Sequence, residues 1–199
     1  MLTHLIKTGA VALPTTTVYT GQTNDDGHIA WNASPPTDYS GANGIRAGGK
    51  LGKITGSYVP FFRFPNITIP QGAVITSATF FVQDTGWTSG TADGIIRWKM
   101  EDADDVATGD ANLFVMDDTI WNATLTTAYT DEALSGATDI NVDITSTVQE
   151  IINRAGWASG NAMRLQGRVV TANSEGLVGY RYYNHASRGK LTINGYTVS

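Results

Sequence analysis

Apolar side chains recur at every second position through most of this chain, and that period suits a sheet with one face buried. Ile96, Trp98 and Met100 alternate with Arg97, Lys99 and Glu101, and Ile140, Val142 and Ile144 alternate with Asp139, Asn141 and Asp143. Met163, Leu165 and Val169 alternate with Arg164, Gln166 and Arg168, while Leu191 and Ile193 alternate with Lys190, Thr192 and Asn194. Phe62 with Phe64, Ile67 with Ile69, and Ala78 with Phe80 and Val82 supply three more candidate strands, punctuated by Pro65 and Pro70-Gln71-Gly72. Roughly eight to ten strands with turn signals between them predict an all-β sandwich of two sheets. A length of 199 residues fits one such domain. The expected division is an amino-terminal arm or edge strand over residues 1–20 and a single domain over 21–199.

One segment breaks the period. Ile144, Val148, Ile151 and Ile152 keep helical spacing, Thr147 followed by Glu150 reads as a capping box, and Gly156 reads as the left-handed stop. A helix of two to three turns over 144–155 is expected, with Trp157 packing at the corner. Residues 34–57 hold seven glycines or prolines before Gly56 and read as a long excursion from the sandwich.

Charge and motif narrow the function. With a net charge of −5 and no basic run, the chain offers no electrostatic footprint for a phosphate backbone, so nucleic acid is not an expected partner. No stretch reaches membrane-spanning length, so a membrane is not expected either. The start, Met1-Leu2-Thr3-His4-Leu5-Ile6-Lys7, lacks the apolar segment of a secretory signal, which points to a chain that begins at its own start codon and stays in the cytoplasm until assembly or lysis. Cysteine is absent, excluding disulfides and thiolate chemistry. His4, His28 and His185 are not spaced as zinc ligands, and there is no Gly-x-Ser-x-Gly elbow. Glu132, Glu150 and Glu175 stand isolated, so paired-carboxylate glycosidase chemistry has no evident pair. No catalytic residue and no cofactor are expected.

Three features remain as candidate contacts. The run from Asp102 to Asn112 offers oxygens for calcium through Asp102, Asp104, Asp105 and Asp110. Gly109 sits at the eighth place rather than the sixth, and Leu113 stands where a bidentate Glu would be, so the run reads first as an acidic turn. Asp25 and Asp26, before Gly27, read as an ordinary turn. Trp98 belongs to the core, whereas Trp87 lies in a glycine-bounded turn and is a candidate for partner or sugar contact. Leu2, Leu5, Ile6, Val11 and Leu13 would lie exposed on an isolated monomer, which marks the arm as a candidate partner contact.

The stretch Phe61-Phe62-Arg63-Phe64-Pro65-Asn66-Ile67-Thr68-Ile69-Pro70-Gln71-Gly72-Ala73-Val74-Ile75-Thr76-Ser77-Ala78-Thr79-Phe80 resembles the hallmark of the DNRLRE-type jelly rolls, in which an fLRF-x-IP-x-GatI-x-SA-x-L run joins two core strands. Asp143 to Ile152 and Trp157 to Ala162 look like that family's helix and following turn, and Asn184 to Ile193 looks like its last strand. The resemblance implies a jelly roll and either of two roles. One is a capsid decoration or cement protein on the outer surface of a tailed-phage head, made in the host cytoplasm, with the major capsid protein as partner and tail or fibre attachment as a variant; the exposed arm and the three-fold sites that capsids offer then predict a trimer. The other is a carbohydrate-binding module recognising a polysaccharide. No binding residue carries over, because the matching positions are structural.

Overall fold

The computed structural model describes residues 15–22, 24–31, 37–38, 45–48, 57–89, 94–108, 124–133, 139–171 and 177–198. Two antiparallel sheets face each other. The smaller is ordered β1 (Thr16–Tyr19), β14 (Lys190–Ile193), β7 (Ala78–Val82), β11 (Ile140–Asp143). The larger runs β10 (Thr130–Ala133), β9 (Ile95–Met100), β12 (Met163–Thr171), β5 (Ser57–Phe64), β4 (Ile45–Gly48), β13 (Leu177–Tyr180), β8 (Asp84–Ser89). Along the other margin of β5 lie β2 (Asp26–Trp31) and β3 (Thr37–Asp38). A two-residue ribbon pairs β6 (Val74–Ile75) with β15 (Tyr196–Thr197). A short helix, α1, spans Thr145–Ile152.

Eight of these strands define the topology. Taken in chain order as β1, β5, β7, β9, β10, β11, β12 and β14, they pair first with last, second with next to last, and so inward: β1 with β14, β5 with β12, β7 with β11, β9 with β10. A long antiparallel hairpin rolled over itself, so that alternate pairs fall in opposite sheets, is a jelly roll.

Between the sheets lies one core. Phe62 and Phe80 meet Trp98 and Phe64 meets Phe80, with ring centroids 4.8 Å apart for Phe62 and Phe80, and 5.1 Å for Phe80 and Trp98. The register puts Gly167 opposite Trp98, and a Cβ there would come within 2.5 Å of the indole, so glycine makes room for the largest core ring.

Several expectations change. Ile67 and Ile69 are buried but form no strand: Ile67 exchanges backbone hydrogen bonds with Gly160 and Asn161, and Ile69 offers its carbonyl to Trp157 Nε1 at 2.9 Å. Trp157 does fill that corner. The 34–57 stretch is not wholly an excursion, because Ile45–Gly48 adds a strand to the larger sheet against β13. The capping box is absent: Thr147 is buried with its hydroxyl on the Ile144 carbonyl, and Glu150 reaches across to the Thr127 and Ala128 amides. Asp143 Oδ1 instead accepts from the Thr145 N–H and hydroxyl at the helix start. The helix ends through Asn153 in right-handed geometry, and Gly156 is not among the positive-φ residues.

Candidate functional site

The face of the larger sheet turned away from the core carries a ladder of charge. Cross-strand register sets Arg63 of β5 beside Arg164 of β12, Gln166 beside Lys99 of β9, and Arg168 beside Arg97, with Asp131 of β10 beside Arg97 in turn. The period-two pattern placed Arg97, Lys99, Glu101, Arg164, Gln166 and Arg168 on the face opposite the core. The structure buries four of these six: Arg164, Gln166, Lys99 and Glu101 are each no more than 5% exposed. Segment 101–108 leans across this face, its Val106 carbonyl accepting from Arg63 Nε and its Ala107 carbonyl from Arg164 Nη2, both at 2.6 Å. Arg164 pairs with Glu101 at 2.9 Å in the dry interior of the ladder, where burial, and then Arg97, hold the neighbouring Lys99 ammonium below its usual range. At the open margin Arg97 forms a two-pronged pair with Asp131 and lies 3.8 Å over the ring of Tyr129. Tyr129 is 48% exposed, so a large aromatic with a planar cation beside it faces outward.

The acidic run is tied down from below. Arg154, just past α1, grips Asp102 and Asp104, while Asp105 Oδ1 accepts the Ala162 N–H at 2.8 Å and the Asp104 carbonyl accepts from Asn161. Gly156 has its reason here, since a Cβ at that position would run into the Asp104 carboxylate. The oxygens considered for calcium are thus employed in fastening a loop to the helix end, and Asp110 lies outside the described residues. Among the described residues no three of His, Asp and Glu gather in a way that would hold a metal ion.

A second acidic corner closes the opposite side of the Arg63 contact. Asp25 accepts from Arg63 Nη1 at 2.8 Å and from the Gly21 and Gln22 amides, while Asp26 opens β2; both are fully buried, so the pair is more than the simple turn expected.

Trp87 falls within strand β8 rather than in a turn, paired alongside β13. Leu2, Leu5, Ile6, Val11 and Leu13 lie outside the described residues; the described chain begins just before β1, the edge strand of the smaller sheet. Tyr129 was missed because Thr126-Thr127-Ala128-Tyr129 has no alternation, and only the pairing of β10 with β9 brings it to Arg97.

No family model matches the chain, and no curated protein matches it. Among solved structures, a family two carbohydrate esterase from Cellvibrio japonicus aligns over 92% of this chain at 11% identity with a TM-score of 0.32. The chain spans 35% of that protein's length, and at that TM-score the likeness carries no argument about activity.

Proposed function

We propose that this chain is a non-enzymatic structural protein of a tailed-phage virion, a decoration or cement protein that binds the major capsid protein on the outer head surface as a trimer. The support is the resemblance of residues 61–80, 143–152, 157–162 and 184–193 to the jelly rolls found in that role. One structural observation favours a scaffold over a reaction centre at the charged ladder and the segment that covers it: the carboxylates there act as fasteners, Glu101 on Arg164, Asp102 and Asp104 on Arg154, and Glu150 on two backbone amides. A hydrolytic acid or base needs a carboxyl free to exchange a proton with substrate.

A second reading, a carbohydrate-binding module, has its own observation in the exposed Tyr129 beside the Arg97 and Asp131 fork. An aromatic face with a neighbouring bidentate polar group is what a pyranose ring would stack on and hydrogen-bond. The two readings separate in one paired experiment: co-sedimentation with heads of the encoding phage that lack the protein, and retention on a panel of immobilised polysaccharides. Saturable binding to heads is expected, without retention on glycans. Retention on a polysaccharide that Tyr129→Ala abolishes, with heads ignored, replaces the first reading by the second. Polysaccharide turnover lost on replacing one acidic residue overturns both.

A further inference from the structure

Asp26 lies where three pieces of chain meet: Thr20 at the end of β1, the first residue of β2, and the 181–189 connection that leads into β14. The residue is fully buried. The Thr20 hydroxyl donates to Oδ2 at 3.0 Å, and Oδ1 has no hydrogen-bond partner. Two arginines lie near, and the charge of Arg188 acts on the Asp26 carboxyl. Arg63 of β5 serves Asp25 and the Val106 carbonyl, while Arg188 of the connection donates to the His185 carbonyl and sits over the Tyr19 ring. His185 on the same connection receives the Ser187 N–H at Nδ1. An anion at Asp26 would lack water and, among the described residues, a direct ion-pair contact, and would lie beside the Asp25 carboxylate with the charge of Arg188 in its favour, whereas the neutral acid escapes the cost of burying a charge.

We propose that Asp26 is a proton-operated clasp on the amino-terminal strand: as the acid it keeps the end of β1 closed against the 181–189 connection, and on ionisation it lets that corner open. Burial pushes its carboxyl up to about 7, against the pull of the Thr20 hydroxyl and the Tyr183 N–H, with Asp25 raising it further and Arg188 lowering it. Because the folded value is raised above 3.8, the stabilisation is complete below that pH and is lost as pH rises through about 7. Opening is local: the Thr20 N–H, bonded to the Gly189 carbonyl at 3.1 Å, and the β1 to β14 ladder beyond it are what Asp26 holds shut. The clasp stands apart from the proposed function and does not depend on it.

Amide hydrogen exchange at pH 6 and pH 8, normalised for intrinsic exchange, reads the clasp directly. Protection of the Thr20 amide should fall about tenfold between these pH values in the native protein and stay level in Asp26→Asn, whose side chain copies the shape of the neutral acid. Level protection in the native protein, or an equal fall in the variant, overturns the proposal. If the variant does not fold, a carbon-detected titration of the native Asp26 carboxyl decides. A midpoint near 7 supports the clasp, and one in the ordinary aspartate range overturns it.

Discussion

Arg97 and Arg164 occupy the same face of the same sheet, yet their surroundings give them opposite energetic weight. Arg164 and Glu101 are almost wholly enclosed, so replacing Arg164 by Met removes a buried cation from the Glu101 carboxylate and should cost about 3–5 kcal/mol in urea unfolding, with much of it recovered when Glu101 is also made apolar. Arg97 and Asp131 are each about a third exposed, so Arg97→Ala should cost no more than about 1 kcal/mol. Equal losses at the two arginines would show that the ladder is not dry at Arg164. In the core, Phe64→Ala and Trp98→Ala should each cost about 3–5 kcal/mol by leaving a cavity, and losses below about 1 kcal/mol at both would contradict the packing described. The apolar half of the alternation was legible because Phe64, Trp98 and Leu191 must face somewhere dry. The burial of the polar half was not, because the 101–108 segment that covers Arg63 and Arg164 comes from outside their own strands.

At the scale of elements, the sequence marked the helix but misread how it is held. Hydrophobic spacing located Val148, Ile151 and Ile152, all buried, but the expected span 144–155 starts one residue early and ends three residues late. Gly156 looked like a stop because glycine after a helix commonly adopts left-handed geometry, whereas its role is to admit Asp104 from a loop fifty-two positions earlier, a contact that local sequence cannot show. Asp143 is the effective cap, and the Thr145 hydroxyl and N–H hold its carboxyl below the usual range. That contribution is present at neutral pH and lost as pH falls through the depressed value, so Asp143→Ala should destabilise by about 1 kcal/mol at pH 7 and by less in strong acid. A constant difference from native across that range would show that the carboxylate is not the cap. With Arg154 on Asp102 and Asp104, millimolar calcium should leave the melting temperature unchanged, and a calcium-dependent rise would mean that the ion displaces the arginine.

For the whole molecule, the all-β sandwich followed from alternation, but which strand lies beside which did not, because period two is silent on pairing order. The jelly-roll order came from the likeness of residues 61–80 to known jelly rolls, and the nested pairing of β1 with β14 through β9 with β10 agrees with it. Among the described residues β1 is the edge strand of the smaller sheet. Attachment to a phage head is the central proposal, and imaging heads that lack the protein after incubation with it tests that most directly. Full-length chain should add ordered density to the outer surface at three-fold positions, and chain lacking residues 1–14 should remain folded but leave those positions bare. Heads that stay undecorated at saturating full-length protein would contradict the proposal, and equal decoration by the truncated chain would remove the arm as its anchor.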